Sequence, residues 1–320
     1  MSAPRLFPIP ETPEAWHAIR ASHVGASEVA ALFDAQPDYA PGRFALWHVK
    51  AGLTEPAPVD NPRVRWGLRL EDVIAQAAGE QEGWTIQPGQ YASHPCGIGA
   101  TLDRIIAEPG PQEREAGLTG PGVLELKNAD WLYHRRAWGN EPPLFILLQL
   151  QAQLLATGYG WGAVAVLVGG NDLRIYRYRA RPKLHAEMER RVRDFWASVR
   201  AGRKPNADGS ESAFRTLRAL TPELLSDEEP ADLREDDEAA VLAAEVLRLS
   251  AARKAIEKQE AEAKARLLDK LGKHRWAMVK GFCVSQAVTP ATPDRPAKPG
   301  EIIKGRAEVR RLIVSERTDA

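Results

Sequence analysis

Two short segments carry the residues best suited to chemistry in this 320-residue chain: Ala-Thr-Leu-Asp at 100–103 and Val-Leu-Glu-Leu-Lys at 123–127. Each reads as a β-strand. Strand side chains alternate between faces, so Thr101 and Asp103 are expected to share one face, as are Glu125 and Lys127. Leu102, Leu124 and Leu126 then turn the other way, into a core. Two carboxylates and a lysine on an otherwise apolar sheet cost stability unless something binds there. Converging carboxylates suit a hard divalent cation, and the lysine beside them suits a polarised water or a phosphate oxygen. A surface strand of alternating charges has the same letters, so the neighbouring segments must decide.

Three neighbours bear on the choice. Glu71 lies in Gly-Leu-Arg-Leu-Glu at 67–71, on an amphipathic helix ahead of the strands, and is either a solvated glutamate or a further carboxylate at the cation. Gln151 lies in Leu-Gln-Leu-Gln-Ala-Gln at 148–153 on the helix after the second strand. A glutamine buried in so apolar a helix needs a hydrogen-bond partner, although Gln149 and Gln153 fit a helix surface equally well. Arg20 precedes Gly25, and Ser27 opens a helix just beyond it. An arginine, a hydroxyl and free helix N-terminal amides together suit a phosphate; a plain N-cap and a surface arginine are the alternative.

The elements that must position these residues follow from capping and periodicity. A first helix starts at Thr12-Pro13-Glu14, with Thr12 as N-cap. Helices are expected over 27–33, 44–51 and 66–78, the last placing Leu70, Val73, Ile74 and Ala77 inward and ending near Gly79. Strand signals fill 84–86, 98–107 and 122–127, with 109–122 as a mobile loop. A helix over 144–157 closes at Gly158. Strands over 162–168 and 173–178 flank a glycine turn, and an amphipathic helix covers 184–200. This order predicts a mixed α/β sheet flanked by helices over 1–204. Residues 205–238, polar and then acidic, read as a linker. Residues 239–320 read as an accessory unit, with a long helix closed by Gly272, a hairpin at 276–279 and 282–288, a Pro-rich loop and a last strand at 309–314.

Composition excludes several classes. The 43 basic and 43 acidic residues cancel, so any nucleic-acid contact must use locally concentrated charge. One such concentration is Arg174, Arg177, Arg179, Arg181 and Lys183, interleaved with Tyr176 and Tyr178; a solvated strand edge fits it equally well. Cys96 and Cys283 are the sole cysteines, which excludes a four-cysteine iron–sulfur cluster or zinc site and points to a reducing cytoplasm. No apolar run is long enough to span a bilayer. His94 and His134 lack a second ligand at suitable spacing, and most of the nine tryptophans sit at amphipathic, core-type positions.

Taken in order, Arg20, Gly25-Ala26-Ser27-Glu28, Gly67 to Glu71, Asp103, Glu125-Leu126-Lys127 and Gln149-Leu150-Gln151 resemble the YqaJ-like viral recombinase family. That family includes the lambda-type phage exonucleases of the PD-(D/E)xK superfamily. The resemblance covers about residues 12 to 200. It implies a restriction-endonuclease-like core and a Mg²⁺-dependent, ATP-independent deoxyribonuclease, with Mn²⁺ able to substitute. The implied activity is 5′→3′ degradation of one strand of linear duplex DNA. This leaves a 3′ overhang for a single-strand annealing protein, in the cytoplasm of a bacterial host. A ring-shaped homo-oligomer, such as a trimer, is implied too. By the same resemblance Asp103 and Glu125 hold the metal with Glu71 assisting, and Lys127 orients or deprotonates water. Gln151, anchored by Thr157-Gly158, is the active-site glutamine, while Arg20, Ser27 and Thr101 hold the 5′-phosphate. Glu28 and Thr101 replace the family's frequent aspartate and serine. A structure-specific endonuclease on the same fold and a non-catalytic DNA-binding scaffold are the competing readings.

Overall fold

The computed structural model describes residues 3–56, 61–221, 231–291, 295–298, 301–303 and 309–316. The chain divides into two units, Met1–Leu224 and Leu225–Ala320. In chain order the first unit contains β1 (Arg5–Phe7), α1 (Pro13–Ala21), β2 (Val24–Gly25), a 3₁₀ helix over Ala26–Phe33, α2 (Arg43–Lys50) and α3 (Pro62–Glu82). Strands β3 (Thr85–Pro88), β4 (Tyr91–His94), β5 (Ile98–Thr101) and β6 (Arg104–Glu108) come next. They lead to α4 (Pro111–Glu115), β7 (Gly122–Ala129), α5 (Trp131–Ala137), α6 (Leu144–Thr157), β8 (Trp161–Val168), β9 (Asp172–Arg179), α7 (Pro182–Arg200) and α8 (Glu211–Leu220).

The main sheet has the order β3-β6-β7-β8-β9, antiparallel except for the parallel pair β7 and β8. A parallel pair needs a crossover, and α6 supplies it. One face packs on α6, α7 and the 3₁₀ helix through Val123, Leu148, Leu150, Val164, Val166, Met188 and Val192. The other packs on α3 through Ile74, Ala75, Ala78, Leu124, Leu126 and Ala165. A smaller sheet, β1-β4-β5-β2, lies alongside, with β2 parallel to β5. This is the expected mixed sheet flanked by helices; Asp103 precedes β6, which runs antiparallel to the β7 strand that carries Glu125 and Lys127.

Local chemistry explains the element ends. The Thr12 hydroxyl accepts from the Ala15 amide at 3.3 Å, and Asn61 caps α3 through the Val64 amide at 3.0 Å, each ahead of a proline. Gly158 (φ 75°) ends α6 in the left-handed conformation that glycine adopts without strain.

Several expectations are corrected. The run over 98–107 is not one strand: it bends at Leu102-Asp103 and passes from the small sheet into the main one. Gly89 permits the bend, since a Cβ there would come within 1.7 Å of the Leu102 carbonyl oxygen. Helix α3 runs on to Gly83, and its buried face is Ile74, Ala75 and Ala78, leaving Val73 57% exposed. The stretch over 109–122 is anchored by α4, where the fully buried Glu113 accepts from the Trp84 indole at 2.8 Å and the Gly110 amide at 3.0 Å and pairs with Arg177. Arg177 also reaches Glu82, Arg179 donates to the Ala116 carbonyl, and Arg174 pairs with Asp172, so these three arginines of the basic run serve the fold. Within 205–238, α8 docks on α2 through Ala213 and a bond from the Gly42 amide to the Ser212 hydroxyl at 3.0 Å. Residues 222–230 of that segment lie outside the described residues.

The second unit contains α9 (Asp237–Leu271), β10 (Trp276–Val279), β11 (Phe282–Thr289), β12 (Arg295–Lys298), β13 (Glu301–Ile303) and β14 (Val309–Glu316). Strands β10-β11-β14 form an antiparallel sheet, and β12-β13 a ribbon within the expected Pro-rich loop. No helix among the described residues is long and apolar enough to cross a membrane.

Burial raises the Glu113 pKa, but the hydrogen bonds from Arg177 and Trp84 outweigh it and hold the carboxyl below its ordinary range. A depressed acid contributes stability above its unfolded pKa and loses it as pH falls through the native value. Glu113→Ala should cost about 3 kcal/mol in urea denaturation at pH 7, because the Trp84 and Arg177 donors lose their partner. The wild-type advantage over Glu113→Gln should be full at pH 7, begin to fall below about pH 4 and be lost only once the pH passes below the depressed native value.

Candidate active site

Glu125 sits at the centre of β7, on the face covered by α6, and is only 1% exposed. A charge so deep must be matched, and three donors match it. The Lys127 ammonium pairs with one carboxylate oxygen, which also accepts from the Gln149 amide at 2.6 Å. The Gln153 amide donates to the other oxygen at 2.5 Å. Gln149 and Gln153 are one helical turn apart, so α6 presents both to the same carboxylate. The expectation for Gln151 is corrected here. Two residues round the helix from either, it points away from Glu125, donating to the Arg179 carbonyl at 2.9 Å and accepting from the Arg181 amide at 3.0 Å. The His185 ring lies 2.9 Å from its carbonyl oxygen. Gln151 therefore ties α6 to the β9–α7 junction.

Asp103 reaches the site from the bend between the two sheets rather than from a strand face shared with Thr101. One of its oxygens accepts from the Leu126 amide at 2.8 Å, placing it between Glu125 and Lys127. Burial is the main reason its pKa is raised, and the Glu125 charge adds to this; Lys127 and the Leu126 amide oppose both. For Lys127, burial alone would lower the pKa, but Glu125 and Asp103 outweigh it and hold the amine protonated. A protonated Lys127 can donate hydrogen bonds within the site.

Glu71 comes from α3, on the opposite face of the sheet. Its pKa is raised first by burial and then by Glu125 and Asp72, against Arg104 and Lys127. Its carboxylate lies 4.0 Å from Arg104, which also pairs with Asp72 and donates to the Asp103 carbonyl. Arg104 therefore ties α3 to the bend that carries Asp103.

Among the described residues no three carboxylate, imidazole or thiol side chains form a complete ligand set. The donors present nevertheless fit a magnesium-like ion, which binds through one or two carboxylates and takes its remaining ligands from water and phosphate. Asp103 and Glu125 are those carboxylates, and the repulsion between them is what a bound cation would relieve.

The expected phosphate pocket lies where β2 and β5 run parallel, Val24 beside Ile98 and Gly25 beside Gly99. Ser27 and Thr101 each lie two residues further along, and both are exposed. Arg20 stacks over Trp16 at 4.4 Å and faces Glu28 at 3.5 Å. Glu28 also accepts from the Gly25 amide at 2.7 Å and pairs with Lys50 at 2.8 Å. Lys50, which the sequence reading did not single out, donates in turn to the Arg20 carbonyl at 2.9 Å. A phosphate here would compete with Glu28 for Arg20. Trp66 and Trp131, placed by their pattern in the core, are more than half exposed, with Arg69 and Arg135 over their rings.

An α/β domain with one carboxylate buried at the middle of its sheet, and a second carboxylate and a lysine half-buried beside it, is the class that fold and site define. Residues 15–160 match the family model of the YqaJ-like viral recombinase domain, and the segment bearing the site is a domain of that family. No curated protein matches the chain. Among solved structures, the chain is similar to an alkaline exonuclease (LHK-Exo) from Laribacter hongkongensis. The identity is 20% and the TM-score 0.45, over 66% of this chain and 100% of that one. It is also similar to a phage-related exonuclease from Haemophilus somnus 129PT, at 10% identity and a TM-score of 0.31, over 60% of this chain and 90% of that one.

Asp103→Asn should stabilise the protein in chelator by about 1–2 kcal/mol, because it removes one of two repelling charges while leaving an acceptor for the Leu126 amide. Added Mg²⁺ should raise the wild-type unfolding temperature and leave that of the variant unchanged. Equal shifts for both proteins would place cation binding elsewhere.

Proposed function

We propose that this protein is a Mg²⁺-dependent, ATP-independent DNA exonuclease that degrades one strand of linear duplex 5′→3′. The 3′ overhang left behind would serve a single-strand annealing protein in phage-type recombination within the bacterial cytoplasm. The observation that carries the reading is the Asp103–Glu125–Lys127 cluster, centred on the buried Glu125, inside a YqaJ-like viral recombinase domain. A carboxylate pair and a lysine match the needs of phosphodiester hydrolysis: charge stabilisation and an oriented water. A solved form of the Laribacter exonuclease holds dAMP, a nucleotide monophosphate of the kind stepwise DNA degradation releases.

When bound, Mg²⁺ supplies Lewis-acid stabilisation of the charge that develops on the phosphate and the leaving oxygen. Asp103 and Glu125 would hold it. Gln149 and Gln153 fix the Glu125 carboxylate so that its oxygens keep one orientation, and Lys127 donates a hydrogen bond that aims the attacking water. Arg20, Ser27 and Thr101 would take the 5′-terminal phosphate, which supplies the polarity. Glu71 would assist at the cation from α3, its charge moderated by Arg104. A ring-shaped oligomer would keep a processive enzyme on its DNA.

Lys127→Ala should lower cleavage of end-labelled linear duplex by about 10²–10⁴-fold at equal amounts of folded protein. Gln153→Ala should lower kcat more than Gln151→Ala, whose effect should fall on stability. Wild-type protein should spare closed circular DNA and prefer a 5′-phosphate over a 5′-hydroxyl end, a preference that Arg20→Ala should reduce. Cutting of the circle would instead indicate an endonuclease. Absence of any Mg²⁺- or Mn²⁺-dependent cleavage would leave a DNA-binding scaffold.

A further inference from the structure

Helix α9 spans 35 residues, yet burial is confined to its C-terminal end, where Leu271 is buried and Leu267 and Leu268 are half-buried. Further up, Leu242, Val246, Leu249 and Ile256 are 57%, 66%, 51% and 64% exposed. These residues are not scattered. Positions 242, 246, 249, 253, 256, 260, 263 and 267 alternate spacings of four and three, the heptad repeat of a coiled-coil seam. They read Leu, Val, Leu, Arg, Ile, Glu, Ala, Leu. Only Arg253 and Glu260 interrupt the apolar stripe, and those two charges identify the partner.

We propose that α9 pairs antiparallel with α9 of a second copy of this chain, over residues 242–267. A parallel pair would stack Arg253 on Arg253 and Glu260 on Glu260 in the seam, both repulsive and both shielded from water. The antiparallel register sets Leu242 against Leu267, Val246 against Ala263, Leu249 against Glu260 and Arg253 against Ile256. Each arginine then lies one layer from the glutamate of the other helix. In the same register the flanking positions bring Glu245 opposite Arg266 on one side, twice by symmetry, and Ser250 opposite Glu257 on the other, so no like charges meet. The overlap is about 39 Å long, at 1.5 Å per residue. The two-fold symmetry closes the contact between the two helices.

The register is directly testable in the full-length chain. In a Cys283→Ser background, Cys96 is the one native thiol left, and it is buried. Val246→Cys combined with Ala263→Cys should give a cross-linked dimer with a bis-maleimide of short span. Within one helix these positions are about 25 Å apart, so the cross-link must run between copies. Neither single cysteine should cross-link, whereas efficient cross-linking of Val246→Cys alone would show a parallel pair and overturn the proposal. Leu249→Asp with Ile256→Asp should lower the mass measured by light scattering to that of the assembly formed by the nuclease unit alone, which the Met1–Leu224 segment reports. Tryptophan fluorescence and unchanged helical circular dichroism would confirm that the fold persists. An unchanged mass would refute pairing through this face. Arg253→Glu should weaken the association at least tenfold, and adding Glu260→Arg should restore it. Failure of the double exchange to restore association would exclude this register.

Discussion

The burial of one carboxylate organises the nuclease unit. Glu125 lies in the middle of the sheet, where an unmatched charge would be prohibitive. Its neighbours are arranged to match it. Lys127 is two residues away on the same strand face, and α6 is placed so that Gln149 and Gln153 reach both oxygens. The match is incomplete because Asp103 adds a second negative charge, held in place by a backbone amide rather than by a cation of the protein. An excess of negative charge fixed in a low-dielectric setting stores binding energy for a divalent ion. The local instability and the proposed chemistry share one cause.

A second buried ionic group shows how differently the same residue types behave when they serve the fold. Glu113 is fully buried, but Arg177, the Trp84 indole and the Gly110 amide neutralise it, and Arg177 is shared with Glu82. Its pKa is pushed down, whereas that of Asp103 is pushed up. The first carboxylate stays charged because its partners are complete. The second resists charging because burial desolvates it and the Glu125 charge repels it, beyond what Lys127 and the Leu126 amide offset. This contrast separates the structural acid from the candidate catalytic one more firmly than burial alone.

How much of this could be read from the sequence follows the range of the interactions involved. Helix α6 and its end at Gly158 were legible because periodicity and a C-capping glycine are local signals. The candidate catalytic carboxylates and Lys127 were legible as a motif of residue types. The bend at Asp103 was not, since it depends on the backbone of Leu102 passing over Gly89, thirteen residues earlier in the chain. Glu113 was equally hidden, its partners lying at positions 84, 110 and 177. Helix α8 was masked by its polar surroundings, its docking resting on little more than Ala213, Thr216 and Ser212.

The glutamines make a different point, because the signal that places them was local and went unused. Gln149, Gln151 and Gln153 alternate with apolar residues, a pattern that in a strand would put all three on one face. In a helix the same spacing puts Gln149 and Gln153 together and swings Gln151 to the far side. Anchoring the motif on Thr157-Gly158 selected Gln151, but only residues a full turn apart can grip both oxygens of one carboxylate. Once α6 is recognised as a helix, a two-handed hold on Glu125 requires an i,i+4 pair, and this segment offers just one pair of glutamines at that spacing. The third glutamine is then free to bind Arg179, Arg181 and His185, fixing the opposite side of α6 to β9 and α7. One helix thus holds the site on one face and is itself held on the other, so the position of Glu125 is set by the whole packed layer rather than by its own strand.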